Sequence, residues 1–195
     1  MEKSCIGKDL AIANLVKLLR IQKHDYLNQL QVIQGMLQLN KADRALGYIK
    51  EVTREIQRTG TVMRLADPVL VALLLSYVRQ AMEKEIKTTV MAETDMRQPG
   101  IPSDALYQLV EVTWNSFIRM LAEGTESKSL SLSIKEDDKN YVFDYCLSFS
   151  GLSLAMVKEG IDPVKSLVSS TGCDFSVEIK GESCRITVEL PRKPG

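Results

Sequence analysis

The chain has 195 residues, 45% of them apolar, and its 25 lysines and arginines balance 25 aspartates and glutamates. That length allows one or two small domains, and a net charge of zero gives no electrostatic bias toward nucleic acid or a membrane surface. Four cysteines and one histidine, without CxxC or Cys/His ligand spacing, argue against a zinc site and for reduced thiols inside a cell.

Met1-Glu2-Lys3-Ser4-Cys5 leads into a mixed polar stretch, so no signal peptide is expected and the protein reads as cytoplasmic. The first predicted helix runs from Lys8 to Leu39. At about 100° per residue, Leu15, Leu19, Tyr26, Leu30, Ile33 and Leu37 gather on one face. His24 points roughly 150° away from the middle of that stripe, with Lys17, Arg20, Asn28 and Gln31 beside it. Core packing does not explain an imidazole on the wet side of a helix. It is available for chemistry, and it is the side-chain type that changes charge near neutral pH.

Asn40-Lys41-Ala42-Asp43 offers a turn, with Asp43 as the expected N-cap of a second helix. Leu46, Ile49, Val52 or Thr53, Ile56 and Met63 repeat in that helix at three-four spacing. So short a link makes the two helices antiparallel neighbours. One hairpin has a single apolar seam and too little to bury it against. Two hairpins related by a two-fold axis close into a four-helix bundle, so a homodimer is expected. The alternative is that the seam packs on the C-terminal part of the same chain.

Asp67-Pro68 ends the second helix. Val69 to Lys84 reads as a buried helix, whose run Val69-Leu70-Val71-Ala72-Leu73-Leu74-Leu75 is far too short to span a bilayer. Thr88 to Met91 reads as a short strand, Gln98 to Pro102 as a loop, and Ser103 to Leu121 as a helix. Leu130–Ile134, Tyr141–Cys146, Phe175–Ile179 and Cys184–Leu190 alternate as strands, with a hairpin turn at Glu136-Asp137-Asp138-Lys139-Asn140. Helices with a mixed sheet make an α/β sandwich.

His24-Asp25-Tyr26-Leu27-Asn28-Gln29-Leu30 resembles the H-box of citrate/dicarboxylate-type sensor kinases and of the sporulation initiation phosphotransferases of endospore-forming bacteria. Asp67-Pro68-Val69-Leu70 with Leu73-Leu74-Leu75 resembles the first helix of the same kinases' ATP-binding domain. Ile186-Thr187-Val188-Glu189-Leu190-Pro191 resembles that domain's last strand. The resemblance implies an α+β fold. Residues 1–66 are expected to form a helical hairpin that dimerises into a four-helix bundle, and residues 67–195 a degenerate histidine-kinase (GHKL) ATPase-like α/β sandwich.

The departures from the kinase pattern bear on function. Glu111-Val112-Thr113-Trp114-Asn115 keeps the N-box spacing, an acid one turn before a Mg²⁺-holding Asn, as a relic or a working half-site. Where the family has Asp-x-Gly-x-Gly, this chain has Leu147-Ser148-Phe149-Ser150-Gly151, so the adenine-binding acid and the first flexible glycine are gone. The Gly-rich lid is missing too; Lys158-Glu159-Gly160-Ile161-Asp162-Pro163-Val164-Lys165 contains no G-x-G-L.

The resemblance therefore implies a phosphotransferase that shuttles a phosphoryl group between the receiver domains of two response regulators. His24 would carry the group. Asp25 would orient the ring or take a proton, and Asn28 would hydrogen-bond the imidazole or the phosphoryl oxygens. Lys17, Arg20, Lys23 and Gln31 would meet the regulator, with the basic residues steering its acidic pocket. No cofactor of its own is expected, since the Mg²⁺ belongs to the regulator. Two alternatives stay open: an ATP-dependent histidine kinase with a divergent nucleotide site, and a non-catalytic dimeric module that only binds regulators.

Overall fold

The computed structural model describes residues 3–123 and 127–193. The chain divides into two compact units, Met1–Gly60 and Thr61–Gly195. The first is a helical hairpin of α1 (Lys3–Gln38) and α2 (Ala42–Gly60). Asn40, at φ 54°, ends α1 in the left-handed conformation that asparagine tolerates better than most residues. Its N–H donates to Leu37 O (2.9 Å) and that of Lys41 to Met36 O (2.9 Å), which satisfies the last carbonyls of the helix and reverses the chain. The second helix starts one residue earlier than its expected cap. Lys41 O accepts from Ala45 N at 3.0 Å, so Asp43 lies inside the first turn and acts there through its charge at the helix N-terminus.

Within the hairpin only part of the apolar pattern is covered. Ala45 is buried and Ile33 half-buried, whereas Leu30 (61% exposed), Leu37, Leu46, Ile49 and Ile56 remain open to solvent. Leu15 and Leu19 have side chains outside the described residues.

The second unit opens with a 3-10 turn, Thr61–Arg64, followed by α3 (Pro68–Glu83), β1 (Lys87–Ala92), α4 (Ser103–Glu123), β2 (Ser129–Glu136), β3 (Asn140–Ser148), α5 (Leu154–Thr171), β4 (Asp174–Lys180) and β5 (Ser183–Pro191). Residues 61–66 belong to this unit rather than to the hairpin, so the division falls at Gly60 rather than at the proline. Val62 and Leu65 are buried in its core, Thr61 Oγ1 accepts from Ala92 N (3.2 Å), and Ala66 N donates to Asp95 O (2.8 Å).

The sheet has the order β1-β2-β3-β5-β4. β1 runs parallel to β2, which requires α4 as the crossover between them; the other pairs are antiparallel. Alternation along the strands sends Leu130, Leu132, Ile134, Tyr141, Phe143, Tyr145, Leu147, Ile186, Val188 and Leu190 into the core. Ser131, Lys135, Arg185 and Glu178 occupy the opposite, solvated face. One polar face and one covered face are what a two-layer sandwich requires.

The element the sequence pattern did not predict is α5. Gly160 and Pro163 lie inside it; Ser153 caps the helix by accepting from Met156 N (3.2 Å), and Val157, Ile161, Val164 and Val168 form a buried stripe. Gly160 is where α5 meets α4: a Cβ there would collide with the Met120 side chain. Close helix approach offsets the poor helix propensity of glycine.

Candidate functional site

The hairpin places His24 in mid-helix with 72% of its side chain exposed. One turn on, the Asn28 amide nitrogen lies 3.1 Å from His24 Nδ1. The neighbouring Asp25 brings Oδ1 to 3.6 Å from the same nitrogen, with its side chain 60% exposed. Both polar neighbours therefore converge on Nδ1 and leave Nε2 without an intrahelical partner among the described residues. Arg20, Lys23 and Gln31 are exposed on the same helix. Lys17 belongs to α1, but its side chain lies outside the described residues. Sequence spacing brings His24, Asp25 and Asn28 together; Gln31 has no contact with them among the described residues.

Glu111 and Asn115 are exposed one turn apart on α4. Between them Trp114 is buried and stacks on Tyr77 with ring centroids 5.7 Å apart, and its Nε1–H donates to Tyr77 O at 3.2 Å. Burial, reinforced by the Glu111 carboxylate, pushes the Tyr77 phenol up to about 12.

The positions where kinases hold nucleotide differ in structure as well as in residue type. Leu147 is fully buried at the end of β3 and Phe149 is 1% exposed, both within the core. Directly after them a short turn at Ser150-Gly151, where glycine takes φ 89°, leads to the Ser153 cap of α5. Lys158–Lys165 lies inside that continuous helix, so no lid loop stands between β3 and α5. At Leu147 and Phe149 the side chains are apolar and buried, where the kinase motif has a carboxylate and a glycine.

Sequence reasoning missed a cavity of about 440 Å³ at the starts of α3 and α4, lined among others by Leu65, Asp67, Asp95, Arg97, Ser103 and Lys193. Neither Glu111 nor Asn115 lines it. No helix among the described residues is long and apolar enough to cross a membrane.

Residues 8–65 match the family described as Sensor_kinase_SpoOB-type, alpha-helical domain. The sensor protein CitS of Halalkalibacterium halodurans is 30% identical over 142 residues, which is 68% of this chain and 26% of the relative. A probable C4-dicarboxylate sensor kinase of Bacillus subtilis is 25% identical over 65% of this chain and 25% of its own length. The chain thus spans about a quarter of the length of these sensor kinases. Sporulation initiation phosphotransferase B of Bacillus subtilis is 25% identical over 144 residues, 73% of each protein. Among solved structures, the histidine kinase ThkA in complex with the response regulator TrrA aligns with a TM-score of 0.53 and 10% identity, over 91% of this chain and 61% of that one. That last likeness concerns the fold alone. The chain carries a SpoOB-type helical domain, followed by an α/β sheet domain of histidine-kinase ATPase-like fold, and is homologous to sensor kinases and to a phosphotransferase.

Proposed function

We propose that this chain is a phosphorelay phosphotransferase acting in sporulation initiation, in which His24 takes a phosphoryl group from the aspartate of one response regulator and passes it to another. The observation that carries this is the exposed His24 imidazole with its two polar neighbours on Nδ1. Further support comes from the buried Leu147 and Phe149 where a nucleotide site needs polar and flexible residues.

Phosphoryl transfer demands positioning and charge stabilisation more than covalent help from the protein. His24 Nε2 attacks phosphorus in line as the P–O bond to the regulator's aspartate breaks, and the bonding pair stays on the carboxylate. Transfer to the second regulator is the same step reversed. The regulator's acidic pocket supplies Mg²⁺. Arg20, Lys23 and Lys17 steer that pocket toward the imidazole, and Gln31 meets the regulator one turn beyond Asn28. Two hairpins pair through Leu30, Leu37, Leu46, Ile49 and Ile56 into a four-helix bundle, and the homodimer works in the cytoplasm.

The test is to incubate the purified chain, without ATP, with a response regulator radiolabelled at its aspartate. Acid-labile label on the chain supports the proposal; label that never leaves the regulator overturns it. A second possibility, a divergent histidine kinase, is favoured by one feature: Glu111 and Asn115 keep their spacing on an exposed face of α4.

A further inference from the structure

The contact at 3.1 Å joins the Asn28 amide nitrogen, which can only donate, to His24 Nδ1. In this arrangement Nδ1 offers a lone pair, and a neutral imidazole carries its proton on Nε2. That tautomer has no free electron pair on the outward nitrogen and cannot attack phosphorus from it. Yet Asp25 Oδ1, 3.6 Å from Nδ1, is an acceptor and favours a proton on that same nitrogen. The two neighbours thus make opposite demands on one atom. The asparagine, unlike the aspartate, can meet either: rotating its amide half a turn replaces the donor with the Oδ1 acceptor.

We propose, resting on the carrier role given to His24, that Asn28 is a positioning residue whose amide orientation selects the protonation state of Nδ1 at each stage of transfer. With Oδ1 turned to the ring, Nδ1–H is held jointly by Asn28 and Asp25, and the Nε2 lone pair attacks phosphorus. The product is a phosphoimidazolium that still bears the Nδ1 proton. That proton leaves to water by way of the Asp25 carboxylate. The Nδ1 lone pair so formed accepts from Asn28 Nδ2–H, with the amide oriented as in the unphosphorylated chain. A phosphoimidazole without the Nδ1 proton is a poorer leaving group than the imidazolium, so it keeps its phosphoryl group longer in water. Return of the proton, with the amide turned back, restores the good leaving group for the next regulator. Asp25, Lys23 and Arg20 are exposed charged groups on the same helix.

The experiment uses the whole chain, ¹⁵N-labelled at histidine, with potassium phosphoramidate as the phosphoryl donor. Two-bond ¹H–¹⁵N correlation spectra report which ring nitrogen bears a proton, and ³¹P spectra report the decay of the phosphohistidine. We expect phosphoryl on Nε2 and the lone-pair pattern at Nδ1 in the phosphorylated wild type. Asn28→Asp, an isosteric group that only accepts, shifts Nδ1 toward the protonated pattern and shortens the phosphohistidine lifetime by at least about tenfold, the effect of one charge-assisted hydrogen bond. Asn28→Ala shortens it less. Identical Nδ1 patterns and lifetimes in wild type and Asn28→Asp overturn the role of Asn28 while leaving His24 as carrier. A wild-type chain that takes no label at His24 overturns the carrier role itself.

Discussion

Tyr107 donates its phenolic hydrogen to Asp67 Oδ2 at 2.6 Å, and the other oxygen of that carboxylate caps α3 by accepting from Val69 N (2.8 Å) and Leu70 N (3.2 Å). One side chain therefore sets both where α3 begins and how α4 is tied to it. Tyr107→Phe should lower the unfolding free energy by about 1 kcal/mol, the usual worth of one hydrogen bond. Asp67→Ala, which also removes the cap, should cost about 1 kcal/mol more. Urea titration of the two variants checks the order.

The same tyrosine gives the fold a high-pH weakness. Burial, then the bond to Asp67, pushes the Tyr107 phenol up to about 12, and Tyr77 is raised to about 12 by burial and Glu111. Above pH 10 the unfolded chain releases these protons before the native state does, so it binds fewer of them. Stability contributed by the protonated phenols is complete below pH 10 and declines as pH climbs from 10 toward 12. Equilibrium unfolding between pH 9 and 12 should show that fall, and Tyr107→Phe should flatten part of it.

His24→Gln should abolish phosphoryl acceptance from a labelled regulator. An exposed helix position carries little stability, so the melting transition should move by no more than about 0.5 kcal/mol in free energy. Retained acid-labile label on this variant would sink the assignment.

Leu30, 61% exposed in the single chain, is the best handle on the proposed bundle. Leu30→Asp places an unpaired charge in the seam that two hairpins would share. Sedimentation should find a dimer for the wild type and monomer or unfolded hairpin for the variant. A wild type that sediments as a monomer at micromolar concentration refutes the bundle.

Mg-ATP supplies the sharpest contrast with a divergent kinase. Losing the charge-assisted bond to adenine removes roughly a hundredfold in affinity by itself, and Phe149 stands in the core where a flexible glycine is needed. Calorimetry at millimolar Mg-ATP should register no binding, and His24 should not become phosphorylated. Autophosphorylation that disappears in Asn115→Ala would show that Glu111 and Asn115 still serve a nucleotide.

Much of this was legible in the sequence because the informative residues are unusual or periodic. A lone histidine off the apolar stripe marks itself, and i, i+4 spacing already places Asn28 beside it. Strand alternation from Leu130 to Leu190 foretold which side chains enter the core. Two things were not legible, each for a reason of distance. In the sequence, Lys158–Lys165 shows only its missing lid motif and does not disclose α5; the approach of Met120, 40 positions earlier, explains the glycine inside it. Residues 61–66 read as the tail of a helix because their partners, Ala92 and Asp95, are about 30 residues away. The shared claim of Asp25 and Asn28 on a single ring nitrogen is a matter of rotamers, which spacing does not encode.

The parallel pairing of β1 with β2 gives the two units different folding kinetics. The hairpin closes through a turn of a few residues, whereas β1 waits for α4 before it finds β2, and β3 ladders to β5 between Asn140 and Pro191. Local contacts form early and non-local ones late. In a refolding chain the hairpin is complete while the sheet is still assembling, so its uncovered leucines and isoleucines are an early sticky surface. A stopped-flow refolding trace should resolve a fast helical phase ahead of the slower appearance of the buried Trp114 signal.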